Sequence, residues 1–225
     1  CGNENNYGIY CTRDGELNPS NPTISNCIIT GNDVGIYCYQ SSPIIKDNII
    51  KENFGCGIYC EATQTPVIEN NLIYGSTGWG GGIGVEDANG IAVIRNNTIV
   101  NNSWGLYTWE SIDPNIVNCI IRNNISGDLL TDSETFTLKY SCIGDPNFIG
   151  DPNVTHNISE DPLFYDSDAN NFHLISDSPC KNAGDPNGNY GGQGDIDGEN
   201  RVCDGRADIG ADEYYWSAAD FDEDG

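Results

Sequence analysis

The chain has 225 residues, with 34 Asp or Glu against 9 Lys or Arg, and its formal net charge is −25. So much negative charge argues against binding to nucleic acid or to an anionic membrane surface, and it suits an exported, calcium-rich setting in which metal neutralises acidic loops. The sequence has no run of 18 apolar residues, which argues against a membrane-spanning helix.

A repeated segment organises the first half of the chain. Its clearest copies are PTISNCIITGNDVGIYC at residues 22–38 and PIIKDNIIKENFGCGIYC at residues 43–60. Equivalent positions recur every 21 to 26 residues, at Pro22, Pro43, Pro66, Ala92 and Pro114. A period of this length, built from short apolar alternations and asparagine turns, is typical of a solenoid.

Each repeat predicts three short strands with two corners between them. The third and eighth positions are isoleucine in all five copies: Ile24, Ile45, Ile68, Ile94, Ile116 and Ile29, Ile50, Ile73, Ile99, Ile121. Such columns are expected when coils stack with their strands about 4.8 Å apart. Asparagine tolerates the left-handed backbone of a sharp corner, and stacked amides can hydrogen-bond along the axis. The first corner contains Asn26, Asp47, Asn70, Asn96 and Asn118.

The third strand carries the motif Gly-Ile-Tyr-Cys, which stands at residues 8–11, 35–38 and 57–60. Period-two alternation points its isoleucine and cysteine inward and its tyrosine outward. Because one coil cannot bury its own apolar face, stability must come from stacking. The sequence therefore predicts an all-β parallel β-helix, a solenoid of about five to seven coils.

Three regions are expected along the chain. Residues 1–125 form the coils, residues 126–216 form the last coil or coils and an irregular Gly- and Asp-rich C-terminal cap, and residues 217–225 form an acidic linker or a truncated calcium-loop start. A cap is expected because the open end of a β-helix is an exposed sheet edge. The lack of Met and of a signal peptide favours a segment of a longer exported protein.

The coils resemble the right-handed parallel β-helix of the pectate-lyase-like superfamily, in its carbohydrate-binding and sugar-hydrolysis repeat form. The region after them resembles the tail of bacterial surface β-helix proteins of the choice-of-anchor type. The matching motifs are DPLF (161–164), FHLISDSPCKNAGDP (172–186), DIDGENR (195–201) and DGRADIGADE (204–213). These resemblances imply a right-handed helix, an extracellular or cell-surface location, a carbohydrate-related role and attachment through a further C-terminal module.

Two acidic clusters are candidate calcium sites. Asp195, Asp197 and Glu199 place carboxylates two residues apart in a glycine-rich turn, where they could bind Ca²⁺ or pair instead with Arg201 or Arg206. The second cluster follows the first half of the loop D-x-D-x-D-G and resembles the opening of a dockerin-type or EF-hand-like module. Its ligands would be Asp220, Asp222 and Asp224.

The ten cysteines allow disulfides in an oxidising compartment. Cys11, Cys38 and Cys60 fall in one inward column, so they are either a buried stack of thiols or, across neighbouring coils, a bridge between Cys38 and Cys60. Cys180 and Cys203, in the irregular tail, are the candidate disulfide pair.

The outward face of the third strand combines aromatic rings with carboxylates. Flat rings stack on the C–H faces of sugars and acids bind their hydroxyl groups, so the face could bind a polysaccharide. Alternatively, the tyrosines simply pack in a ladder that stabilises the sheet. The candidate substrate-binding residues are Tyr37, Tyr39, Tyr59, Tyr107, Trp109 and Glu110.

Glu61 and Glu86 are the candidate catalytic residues. They stand on successive coils, so their Cα atoms are expected about 5 Å apart, near the carboxylate spacing of a retaining glycosidase. A pectate-type lyase is disfavoured, because the bases of the coils, Lys46 and Arg95 in one column and Lys51 and Arg122 in another, lie on other strands.

The leading hypothesis is a module outside the cell or on its surface that binds a polysaccharide or cell-surface glycan on this face without turning it over. One alternative is a structural or adhesive solenoid that self-associates, and another is a polysaccharide hydrolase or lyase. Ca²⁺ is the expected cofactor.

Overall fold

Three parallel sheets form the coils in the computed structural model, which describes residues 6–13, 20–88, 90–110, 113–133, 135–144 and 154–215. Sheet 1 contains β1 (Tyr7–Thr12), β4 (Val34–Tyr39), β7 (Cys56–Glu61), β10 (Gly81–Glu86), β13 (Trp104–Trp109) and β16 (Gly127–Thr131). Sheet 2 contains β2 (Thr23–Ser25), β5 (Ile44–Lys46), β8 (Val67–Glu69), β11 (Val93–Arg95), β14 (Asn115–Val117), β17 (Thr137–Lys139) and β19 (Val154–Thr155). Sheet 3 contains β3 (Ile28–Thr30), β6 (Ile49–Lys51), β9 (Leu72–Tyr74), β12 (Thr98–Val100), β15 (Ile120–Arg122) and β18 (Cys142–Ile143).

The isoleucine columns are the core of the solenoid. Ile45 pairs in register with Ile68, and Ile94 with Ile116, and all four side chains are fully buried. Each buried isoleucine contributes about 1.5–3 kcal/mol relative to an exposed one, so stability grows with every stacked coil. The prediction of an all-β parallel β-helix is confirmed, with six strands of sheet 1 marking six coils.

At the first corner, two neighbouring residues have different roles. The first residue of the first corner takes a left-handed backbone in five coils, with φ of 53–56° at Asn26, Asp47, Asn70, Asn96 and Asn118. The next residue supplies a buried amide ladder, in which Asn48 Nδ2 donates to Asn71 Oδ1 and Asn71 Nδ2 to Asn97 Oδ1, both over 3.0 Å. The expected left-handed corners and stacked amides are therefore both present.

The Gly- and Asp-rich tail, defined here as residues 164–215, lies along the outer face of sheet 3. It starts with an antiparallel pair, β20 (Phe164–Asp166) and β21 (Asn171–Leu174), joined by a 3-10 turn at Ser167–Ala169. Phe172, Leu174, Cys180 and Ile209 of the tail share an apolar cluster with outward side chains of four sheet 3 strands: Tyr74, Val100, Ile120 and Cys142. The tail thus docks on the side of the coils, and the predicted cap over their last edge stays a prediction.

The physical reason is the composition of sheet 3. Inward Ile99 and Ile121 alternate with outward Val100 and Ile120, so these strands are apolar on both faces and need cover on both. Backbone hydrogen bonds fix the docking, since Gly210 N–H donates to Asn118 O and Ala211 N–H to Thr98 Oγ1, each over 2.9 Å. No helix among the described residues has the length and apolarity needed to cross a bilayer.

Candidate functional site

A ladder of tyrosines runs along the outer face of sheet 1. The ring centroids of Tyr10 and Tyr37 lie 5.4 Å apart, and those of Tyr37 and Tyr59 lie 5.5 Å apart with a 14° angle between the rings. Trp79 then closes the ladder edge-on, 4.9 Å from Tyr59 at 87°. Because in-register strands put identical rings at stacking distance, the ring faces of the ladder are occupied by one another.

The phenols of the ladder are engaged by the two candidate catalytic acids. Tyr37 Oη donates to Glu61 and Tyr59 Oη to Glu86, both over 2.6 Å, so each tyrosine reaches a glutamate on the next coil. Gly84 makes the second contact possible, because a Cβ there would lie 2.9 Å from the Tyr59 ring. Burial, followed by the hydrogen bond to glutamate, raises the pKa of both tyrosines above the ordinary value, which keeps them as donors.

Outward orientation does not make these tyrosines available to a ligand. Tyr59 points away from the coil interior as predicted, yet it is only 8% exposed because its neighbours cover it. Tyr37 is half-buried, and Tyr39 lies beside it with a ring distance of 6.5 Å and accepts a hydrogen bond from Gln40 Nε2. The predicted ligand contacts of Tyr37 and Tyr59 therefore conflict with the packing in which both rings are engaged.

Tyr10 is exposed at the first end of this face, and a second exposed aromatic surface lies towards its other end. Trp109 is 44% exposed, and its ring is nearly parallel to that of half-buried Tyr107, at 9° and 6.4 Å. Glu110 is exposed next to Trp109, and its N–H donates to Asp132. Burial and the nearby Glu86 raise the pKa of Tyr107 to about 12.

Trp79 was not among the candidate ligand residues, and it lies in the coil between the ladder strand β7 and the Trp109 strand β13. It is 60% exposed and sits in the extra loop of the widest repeat, just before β10. Glycines allow the loop to lie flat on the coil below, since a Cβ at Gly78 would come within 2.4 Å of Gly55 Cα. A tryptophan inside a glycine-rich insertion is the sequence signal that could have identified it. Trp79, Tyr107, Trp109 and Glu110 are called the tryptophan end below.

Glu61 and Glu86 are register partners on β7 and β10, as their positions predicted. Each carboxylate is half-buried and already accepts a tyrosine hydroxyl. The two main pockets among the described residues are lined by other side chains. Of the possible lyase bases, Lys51 and Arg122 are on sheet 3, and the two on sheet 2 are paired, Lys46 with Asp47 at 3.4 Å and Arg95 with Glu69 at 2.6 Å. This arrangement does not assemble a catalytic pair in a cleft.

The acidic cluster of the tail is arranged differently from the predicted calcium site. Asp195 is buried, and its two oxygens accept the backbone N–H groups of Asp197, Glu199 and Glu213 over 2.9–3.1 Å. Asp197 turns instead towards His173, with 3.0 Å between Oδ2 and Nε2. Asp195 therefore has a structural role as an acceptor of backbone hydrogen bonds, and calcium binding by Asp195, Asp197 and Glu199 stays a prediction.

The two arginines of the tail bind backbone oxygens instead of the acidic cluster. Arg201 is fully buried and donates to the backbone oxygens of Asp208, Gly210 and Ala211, not to the acidic cluster. Arg206 likewise donates to the carbonyl of Ala183. The candidate loop Asp220, Asp222 and Asp224 lies outside the described residues.

The predicted disulfide between Cys180 and Cys203 is wrong. Both thiols are free, because Cys180 is buried in the same apolar cluster as Cys142 whereas Cys203 is exposed. The other described cysteines are also free. Cys38 is the register partner of both Cys11 and Cys60, and all three are buried, as expected of a stack of thiols.

Comparisons with known proteins bear on the coils. No curated protein sequence matches the chain. A family model described as "Right handed beta helix region" matches residues 1–112, which include every strand from β1 to β13. Together with the parallel register of the three sheets, this match identifies residues 1–112 as a right-handed β-helix region.

Proposed function

We propose that the chain is an extracellular or cell-surface β-helix module that binds a polysaccharide at the tryptophan end of sheet 1 and does not turn it over. The observation that carries the proposal is the exposure of Trp79 and Trp109 on a face where the central rings, Tyr37 and Tyr59, stack on each other. An exposed indole offers a flat apolar surface to the C–H face of a sugar ring.

The carboxylates beside these rings supply the polar half of such a site. Glu110 and Asp132 are both exposed at this end, and Asp132 accepts the Glu110 N–H. Acceptors of this kind bind sugar hydroxyls and set orientation. Because the chain carries a net charge of −25, a neutral glycan is favoured over a polyuronate.

The engagement of the two glutamates supports binding without turnover. A retaining glycosidase needs one carboxylate as nucleophile and one carboxylic acid as proton donor, both facing the sugar. Here Glu61 and Glu86 both accept a hydrogen bond from a tyrosine of the ladder. Using either glutamate for chemistry would break a contact that orders the face.

The test is binding of neutral and acidic polysaccharides to the wild type and to Trp79→Ala and Trp109→Ala, with sugar release followed in parallel. Loss of either indole is expected to weaken binding about 30-fold, the effect of a binding hot spot. Tyr10→Ala is the matched control, because Tyr10 is also exposed but lies at the opposite end of the face.

Equal weakening by Tyr10→Ala, or full binding by both tryptophan variants, would overturn the location of the site. Sugar release that Glu61→Gln abolishes would instead make the chain a hydrolase. If no polysaccharide binds, the structural or adhesive alternative takes precedence, and end-to-end assembly in electron micrographs would support it.

A further inference from the structure

We propose that His173, Asp197 and Asp212 form a binding site for one divalent transition-metal ion, of which zinc is the representative, in the tail. Each residue offers one ligand atom, and the three atoms lie within 4.8 Å of one another. The site is separate from the tryptophan end, which is on sheet 1, and it shares only Asp197 with the calcium cluster considered from the sequence.

Three different segments of the tail hold the three side chains. His173 lies on β21 between Phe172 and Leu174, whose side chains are buried against sheet 3. Leu174 N–H donates to Asp212 Oδ2 over 2.7 Å, so the same strand positions Asp212. Asp197 is held by its own N–H, which donates to Asp195. The ligands are therefore fixed by backbone contacts rather than by a metal.

The histidine is oriented as a metal ligand requires. Its Nδ1 lies 2.6 Å from Asn171 Oδ1, an oxygen that can only accept, so Nδ1 carries the proton. Nε2 points at Asp197 Oδ2, 3.0 Å away, so without a metal this nitrogen is also protonated and donates to the carboxylate, and a metal ion would take the place of that proton. Metal-binding histidines commonly donate the second ring N–H to an oxygen acceptor in this way, which sets the tautomer and turns the other nitrogen to the ion.

Asp212 supplies a second, independent observation. The residue is only 7% exposed, and its one described hydrogen bond comes from the backbone of Leu174. Among the described residues no lysine or arginine forms an ion pair with it. The cation near this buried carboxylate is His173, and a divalent ion held between the two would replace the single charge of the imidazolium with a double one.

The ligand chemistry selects the class of ion. A neutral imidazole with two carboxylates carries two negative charges, which a divalent ion balances. Nitrogen beside oxygen suits Zn²⁺ and its first-row neighbours, whereas Ca²⁺ prefers six to eight oxygen ligands. The side chains of His173 and Asp197 are 52% and 46% exposed, so water can complete the coordination.

Isothermal titration of the whole chain with Zn²⁺ tests the proposal, in a background of millimolar Ca²⁺ that occupies non-specific acidic sites. One Zn²⁺ per chain is expected. His173→Gln and Asp197→Asn should each weaken binding by at least about 100-fold, and Asn171→Ala by about 10- to 100-fold as an outer partner. Circular dichroism of each variant shows whether the fold is retained, which is expected because the two ligand side chains are about half exposed.

Two matched controls cover the other zinc ligands of the surface. His156→Gln removes the only other histidine, and Cys203→Ser removes an exposed thiol. Neither should change the affinity. Unchanged Zn²⁺ affinity in folded His173→Gln, equal loss in a control, or no Zn²⁺ binding at all would overturn the proposal, and none of these results would affect the glycan test.

Discussion

The coils and the tail bury polar groups in two different ways. In the coils, a buried amide such as Asn71 hydrogen-bonds to copies of itself on the neighbouring coils. In the tail, the buried groups are ionisable, and Arg201, Asp195 and Glu213 each hydrogen-bond to backbone groups of other segments. The coils are thus stabilised by one neutral hydrogen bond that recurs between neighbouring coils. The tail is stabilised by hydrogen bonds that each occur once, between segments that do not repeat.

This difference has an electrostatic consequence. Burial raises the pKa of Asp195, Asp208 and Asp212, and it raises that of Glu213 to about 8. The hydrogen bond to Asp197 raises the pKa of His173 to about 9. The ladder amides of the coils do not titrate, so we expect the tail to be the part of the molecule whose stability responds to pH.

The largest effect is expected at Arg201. Replacing it in Arg201→Leu leaves three backbone oxygens without their donor and the buried acids without a nearby cation, which should cost about 3–5 kcal/mol of unfolding free energy. Arg95→Gln is the surface control and should cost less than about 1 kcal/mol, because its ion pair is partly exposed. Urea denaturation measures both, and a similar small cost for the two would contradict a special role for charge in the tail.

A smaller loss is expected in the amide ladder. Asn71→Ala removes donors to Ile45 O and Glu69 O and leaves Asn48 without its acceptor, at a cost of about 2–3 kcal/mol. Asn32→Ala, at the half-buried end of the second ladder, should cost about 1 kcal/mol. Equal costs at the two positions, measured by the same denaturation, would show that stacking depth does not matter.

Raising the pH should weaken the tail by roughly 2 kcal/mol between about pH 6.5 and about pH 8. Glu213 binds its proton more tightly in the folded state, so its contribution falls as pH rises from its ordinary 4.5 to about 8. His173 acts in the same direction, because its stabilising charge is complete below 6.5 and lost towards about 9.

Thermal unfolding in the presence of a chelator checks this pH dependence. Glu213→Gln, which cannot ionise, should flatten the profile over the same range, whereas Glu52→Gln on a coil should leave it unchanged. A profile that rises with pH, or one that both variants flatten equally, would argue against the tail as its source.

The smallest effect is expected at the tyrosine ladder. Tyr37→Phe keeps the stacked ring but removes the hydrogen bond to Glu61, so it should cost about 1 kcal/mol. Tyr10→Phe, at an exposed ring, should cost almost nothing. Chemical denaturation of the two variants gives the comparison, and an equal cost would mean that the phenol–glutamate contact does not stabilise the face.

The coils could be predicted in detail because their contacts join identical residues at a fixed spacing. Ile45 on Ile68 and Asn71 on Asn97 follow from the period alone. The tail could not be predicted in the same way, since Ala211 contacts Thr98 across 113 residues. A signal was nevertheless present, because apolar residues on both faces of sheet 3 indicate that something covers its outer side.

At the candidate site, the sequence predicted which side chains point outward but not how far neighbouring residues cover them. Alternation correctly turned Tyr59 outward, but it carries no information on whether neighbouring rings cover the residue. The grouping of His173 with Asp197 and Asp212 was missed because no motif or period joins them. Long-range packing of the tail decides which of its acids meet, and that packing is not periodic.

In the ladder, the tyrosine rings stack on one another and their hydroxyl groups bind Glu61 and Glu86, so we propose the tryptophan end as the ligand surface. A crystal structure with a bound neutral oligosaccharide tests it most directly. We expect a sugar ring stacked on Trp109 or Trp79, with the Tyr37–Glu61 and Tyr59–Glu86 hydrogen bonds intact. A ligand seated over Tyr10 and Tyr37, or one that displaces either tyrosine from its glutamate, would contradict it.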